Sequence, residues 1–130
     1  MRIYKAVCSF ALLALAGASA APAVTVDPAS DFDCAVVSEF FFRLGEDQKL
    51  PTNELKELVI VALWFDTFWN QDHRGKDRRT DDRYIPLVKA LSADGKASGE
   101  TMKACIRRAD TDPIFVKFAA SLRASAPPAK

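Results

Sequence analysis

Leu58-Val59-Ile60-Val61-Ala62-Leu63-Trp64-Phe65-Asp66-Thr67-Phe68-Trp69 is the stretch whose reading decides the fold. Ten of its twelve residues are apolar, and at about 100° per residue their side chains point almost all round a helix. A helix packed on one side only has no need of this, so the pattern predicts a central helix with neighbours about it. Spanning a membrane takes about 20 apolar residues. Here Glu54, Lys56 and Glu57 precede the run and the polar residues Asn70 to Arg74 close it. Full burial of each large side chain is worth on the order of 1.5–3 kcal/mol, so this helix is expected to supply much of the hydrophobic driving force.

Towards the N-terminus the chain changes character. Arg2 and Lys5 precede an apolar run from Ala6 to Ala16, and Ala18-Ser19-Ala20 offers the small residues a signal peptidase accepts. Residues 1–20 therefore read as a secretory signal peptide, and the product as periplasmic or secreted, with no stable membrane insertion after cleavage. Cys8 lies inside the apolar run and not after the cleavage box, which argues against a lipid-anchored cysteine. Cleavage leaves 110 of the 130 residues, enough for one small domain.

Removal of Arg2 and Lys5 turns 18 basic residues into 16 against 17 acidic ones, moving the formal charge from +1 to −1. The charges are segregated along the chain. Ala21 to His73 holds 3 basic and 10 acidic residues (−7), and Arg74 to Lys130 holds 13 and 7 (+6). Two halves that pack through complementary surfaces account for this pattern. Nucleic acid is not an expected partner, because acids interleave with nearly every basic cluster and the chain reads as exported.

Two cysteines, Cys34 and Cys105, remain after cleavage. An even number in an exported chain reads as a disulfide, and two cysteines allow one pairing. In the chain-entropy picture a loop of this length is worth about 4 kcal/mol. There is no Cys-x-x-Cys and one histidine, so neither redox chemistry nor a metal site is expected.

Along the mature chain, residues 21–31 read as an extended leader, 32–123 as a helical domain and 124–130 as a flexible tail. The first helix is expected to start at Asp31 or Asp33 and run to Leu44, with Gly45 as its stop. Val36, Val37, Phe40, Phe41 and Leu44 share an apolar arc with Cys34 at its edge, and Glu39 and Arg43 form an i,i+4 pair expected to face solvent. The central helix follows from about Asn53 to Gln71, capped by Thr52 or Asn53 and ended at Gly75. Lys76 to Arg83 has no apolar residue and reads as a solvated loop. A helix over Tyr84 to Leu91 tolerates Pro86 in its first turn, behind a cap at Asp81 or Asp82. Ser92 to Gly99 reads as a turn region, and Glu100 to Ala109 as a helix with Met102, Cys105, Ile106 and Ala109 on one side. Asp112-Pro113 opens a last helix with Phe115, Phe118, Ala119 and Leu122 at core spacing. The fold class is all-α, about five helices around a central apolar helix, with one disulfide tying the first helix to the fourth.

Candidate functional residues are few. Asp66 projects from the most apolar side of the central helix, between Leu55 and Val59, with Asn70 and His73 following on the same side. An ionised carboxylate there needs a partner. An arginine or a backbone group of a neighbouring helix would supply one. The sharper alternative is a small pocket lined by Asp66, Asn70 and His73, with the carboxyl as a proton switch. Phe42 points away from the main arc of its helix. With Trp64, Phe68 and Trp69 it forms a candidate apolar interaction surface. No Gly-rich phosphate loop, His-Glu-x-x-His or Gly-x-Ser-x-Gly occurs, so the chain reads as a binding protein and not an enzyme, with no cofactor.

Phe32-Asp33-Cys34 opening one helix and Lys103-Ala104-Cys105 within a later one resemble the small one-disulfide acid-stress chaperones of the bacterial periplasm. The resemblance implies an exported all-helical protein, a homodimer when inactive, in which acid exposes apolar surface that holds unfolded clients. Its only carry-over at residue level is the pair Cys34 and Cys105. The function expected is protein-binding or holdase-like. The alternatives are an inhibitor or immunity-type protein that blocks one exported enzyme, and a small-ligand carrier with its site near Asp66.

Overall fold

Ser30 begins the first helix. Its Oγ accepts the Asp33 N–H at 3.2 Å, and the Asp33 carboxylate in turn accepts the Asp27 N–H at 2.8 Å and the Ser30 hydroxyl at 3.2 Å. Ser30 satisfies one exposed N–H of the first turn, and the Asp33 carboxylate ties the segment before the helix to it. The cap is thus Ser30, one residue before the first expected position. The computed structural model describes residues 24–125; the expected signal peptide and residues 126–130 of the expected tail lie outside the described residues.

Five α-helices follow: α1 (Asp31–Asp47), α2 (Thr52–Asp72), α3 (Tyr84–Ala93), α4 (Gly95–Asp110) and α5 (Pro113–Ala124). A short 3₁₀ turn, Arg78–Thr80, lies between α2 and α3, and no strand occurs among the described residues. The all-α class, the five helices and the Cys34–Cys105 disulfide agree with the reading of the sequence.

Several boundaries differ, each for a local reason. Gly45 does not stop α1. The helix ends two residues later in a Schellman motif, in which Leu50 N–H reaches Gly45 O at 2.9 Å and Lys49 N–H reaches Glu46 O at 3.0 Å. Lys49 takes the left-handed conformation this motif requires, with φ 57°. Gly45 instead gives room: a Cβ there would lie 2.9 Å from both Leu50 Cδ1 and Leu55 Cδ2. In place of Thr52 or Asn53, Pro51 precedes α2 with no side-chain cap. Arg83, not Asp81 or Asp82, sits at the α3 cap position, and Asp81 accepts the Arg83 N–H at 2.9 Å. The turn expected at Ser92 to Gly99 is largely helical, because Asp94 caps Ala97 N–H at 3.0 Å and buried Ser98 donates to Leu91 O at 2.8 Å. Asp112-Pro113 opens α5 as expected, with Asp112 Oδ1 accepting the Ile114 N–H at 2.8 Å.

The segment buried on every side is the first half of α1. Phe32 through Glu39 are all buried, eight consecutive residues. Helix α2 lies along α1, α3 and α4 pack on it as well, and α4 and α5 also touch α2. Ile60, Val61, Trp64, Phe65 and Trp69 turn inward from α2, while Leu63 stands 45% exposed. The apolar run of α2 is therefore covered over much of its circumference but not all of it. Cys34 and Cys105, with no exposed surface, join α1 to α4 across a Cα–Cα distance of 5.6 Å.

The long-range ion pairs follow the charge segregation. Arg78 and Arg79 reach Glu39, Arg78 reaches Asp66, Arg108 reaches Asp31, and Arg123 reaches Glu57. In each the acid comes from the acidic half and the base from the basic half, so the two halves do pack through complementary charge.

Two substitutions probe this framework. Lys49→Gly relieves the left-handed backbone and is expected to stabilise the protein by about 0.5–1 kcal/mol in urea unfolding; a loss would mean the lysine side chain offsets the backbone cost. Replacing both cysteines by alanine is expected to remove about 4 kcal/mol.

Candidate functional site

Glu39 lies in the buried half of α1, its side chain only 10% exposed. A carboxylate so placed requires positive partners. The Lys76–Arg83 segment brings them, folding back so that Arg78 lies between α1 and α2. Arg78 donates through Nη2 to Glu39 Oε2 at 2.5 Å and through Nη1 to Asp66 Oδ1. Arg79 Nε donates to Glu39 Oε1 at 3.1 Å, and Arg43 Nη2 donates to the same oxygen at 2.7 Å. Burial alone would raise the Glu39 carboxyl, but the hydrogen bonds and charges of Arg78 and then Arg79 outweigh it and hold the pKa below its ordinary 4.5.

Two expectations are corrected here. The Glu39 end of the Glu39–Arg43 pair does not face solvent; Glu39 is the buried hub of a cluster of three arginines, of which Arg43 and Arg79 are exposed and Arg78 is not. Nor is Lys76–Arg83 simply a solvated loop, since the Arg78 side chain is 12% exposed and clamped to two helices.

Asp66 binds an arginine, as the plainer expectation has it, and that arginine comes from the short 3₁₀ turn between α2 and α3. Its carboxylate is 33% exposed and takes the Asn70 Nδ2–H at 3.3 Å. Asp66 and Asn70 share a hollow of about 220 Å³ with Lys76, Asp77, Arg78 and Arg79. His73 is not in it. At the end of α2 it leaves helical geometry, and its ring stacks on Trp69 with centroids 3.5 Å apart and planes 8° from parallel. The expected three-residue pocket is therefore split, because the chain turns away at His73.

The aromatic surface is corrected likewise. Trp64 and Trp69 are buried. Trp64 meets Phe68, Phe115 and Phe118 with centroids 4.9, 5.4 and 5.5 Å away, and Trp69 meets Phe32 at 4.8 Å. Phe42 and Phe68 are half-buried. The large apolar side chains that do reach solvent include Leu63, Ile85, Ile114 and Val116.

The connection after α2 also covers core. His73 lies on Trp69, and the Arg83 guanidinium sits 4.1 Å from the centroid of the Phe32 ring. Residues 73–83 thus act as an arm closed over two buried aromatics and latched by Arg78.

A second feature went unforeseen. Phe41, Leu50, Leu58, Val61, Ile106 and Phe115 floor an open cleft of about 460 Å³ between α1, α2, α4 and α5, rimmed by Glu54, Glu57, Asp110 and Arg123. Its residues come from four separate stretches, so no local pattern announces it. No group of three or more His, Cys, Asp or Glu able to hold a metal ion occurs among the described residues, and none of their helices is long and apolar enough to cross a membrane. Comparison of the chain with protein-family models, curated proteins and solved structures returns no match.

The latch makes two predictions. Arg78→Met is expected to cost about 3 kcal/mol, the low end for breaking a buried ion pair because Arg79 and Arg43 still face Glu39, and to combine with Glu39→Gln at much less than the sum. Full additivity would show that the two residues do not act as a unit. Because the folded-state pKa of Glu39 lies below 4.5, its contribution is fully present above that pH and is lost as the pH falls through the folded value. The unfolding midpoint should drop in acid for the wild type and more shallowly for Glu39→Gln.

Proposed function

We propose that this chain is an exported helical protein that binds other proteins and is opened by acid, a holdase-like, stress-related role in the periplasm or outside the cell. The observation that carries the reading is the latch, in which one arginine between two carboxylates holds the arm over Phe32 and Trp69. Protonation of Glu39 takes away the more buried of the two counter-charges of Arg78. The arm is then held less firmly, and its release bares two large aromatic faces to a partner. Such a surface suits unfolded clients, which offer apolar side chains in no fixed arrangement. The Cys34–Cys105 bond supports an oxidising compartment, and it would keep α1 and α4 joined while the arm moves. Homodimerisation at neutral pH, implied by the resemblance to acid-stress chaperones, belongs to the same reading.

The test is apolar-dye binding, oligomeric state and suppression of client aggregation, followed on the oxidised protein from pH 7 to pH 2. Reversible dye binding is expected to rise in acid above its neutral-pH level, with client protection over the same range. Glu39→Gln and Asp66→Asn should each move the onset towards neutral pH. A compact, dye-silent species throughout the range would overturn the proposal.

A further inference from the structure

Phe41 and Glu39 are two residues apart on α1, about 200° round the helix. The latch and the apolar cleft therefore occupy different sides of α1, and the cleft is open without any movement of the arm. Its floor is apolar, contributed by four helices and the α1–α2 connection. The walls are held in place: Leu50 by the Schellman turn against Gly45, Ile106 beside disulfide-bonded Cys105, and Phe115 by its edge contact with Trp64 at 5.4 Å. A volume of about 460 Å³ lies within the ~300–1,000 Å³ span of ligand clefts.

The rim decides what the cleft accepts. Three carboxylates, Glu54, Glu57 and Asp110, face one cation, Arg123. That cation is already engaged, donating through Nε and Nη2 to the two oxygens of Glu57 at 2.8 and 2.6 Å. Glu54 and Asp110 are exposed and enter no ion pair among the described residues. Among the lining residues no unpaired positive group is left for the head of a fatty acid or a phospholipid, the nearby Lys56 ammonium donates to Arg123 O at 3.0 Å, and no convergent set of buried polar groups marks a small-molecule site. An apolar floor beneath a negative rim complements a polypeptide segment that carries apolar side chains next to lysine or arginine.

We infer that this cleft is a preformed docking site for an apolar-basic peptide segment of a partner protein, working at neutral pH. The inference rests on the reading that the chain binds protein, and it is independent of acid opening. Apolar side chains of the partner seat on Leu58, Ile106 and Phe115, and its basic group lies between Glu54 and Asp110.

The experiment uses two synthetic amphipathic peptides of one pattern, one of leucine and lysine and one of leucine and glutamate, titrated at pH 7 into the oxidised protein with backbone amide shifts recorded. The leucine-lysine peptide is expected to shift residues around Leu50, Leu58, Ile106 and Phe115, and to bind less tightly as salt is raised. The Glu54→Lys, Asp110→Lys double variant is expected to weaken it by about tenfold or more, as reversal of two rim charges should. Both positions are exposed, and an unchanged melting temperature would establish that this variant folds. Equal binding of the leucine-glutamate peptide, shifts confined to other residues, indifference to the charge reversal, or absence of binding would each overturn the inference. So would self-association that fills the cleft and excludes the peptide. Because every arm is run at pH 7, failure here leaves the acid-opening reading standing, and failure of dye binding in acid leaves this one standing.

Discussion

A helix buried on all sides has no solvent to which its polar groups can turn, and the first half of α1 imposes that condition on the whole domain. Asp33, Ser38 and Glu39 are enclosed with Phe32, Cys34, Ala35, Val36 and Val37, and each polar group has to be answered from within the protein. Asp33 is met by Ser30 and Asp27, and Ser38 donates to Cys34 O at 2.6 Å. Glu39 cannot be answered locally except by Arg43, and draws Arg78 and Arg79 from about 40 residues further along the chain. The course of the connection after α2 is thus dictated by a charge on α1. The small side chains at Cys34, Ala35 and Ser38 allow neighbouring helices the close approach that such enclosure needs.

The same constraint gives the protein two kinds of surface. Where the enclosing layer is held by charge, over Phe32 and Trp69, its hold depends on the ionisation of carboxylates. Where the layer consists of helix packing around Val61 and Phe115, it leaves an open cleft whose floor is set by apolar packing. The same short chain thus presents, beside an open apolar cleft, an aromatic face whose cover is held by charge.

Much of the fold was legible because it follows from short-range pattern. Five helices, the cap and proline at Asp112-Pro113, the tolerance of Pro86 in a first turn and the cysteine pairing each depend on a few neighbouring residues. Errors arose where one residue has two uses. Gly45 reads as a helix stop, yet it is the space into which Leu50 and Leu55 fit, and the left-handed position falls on Lys49. Gly95 and Gly99 read as a turn, yet Asp94 and Ser98 make enough hydrogen bonds to keep α4 helical. The candidate site was legible only in part. Asp66 stood out as a carboxylate in apolar surroundings, but nothing among the arginines of the charged segment singles out Arg78 as the one that turns inward. Glu39 lies just beyond the apolar arc of its helix, on the side shared by Phe32 and Ala35, which is buried. Trp64 and Trp69 looked available because the sequence does not count how many helices will cover them.

The two sulfurs that join α1 to α4 have no contact with solvent. Thiol–disulfide exchange needs a thiolate to reach a sulfur atom, so a reductant acts only on molecules whose interior has parted. The lifetime of the cross-link then follows the population of such opened molecules, and equals the opening time only where reduction outpaces reclosing. Once enclosed, the bond is shielded from exchange for as long as the native packing lasts.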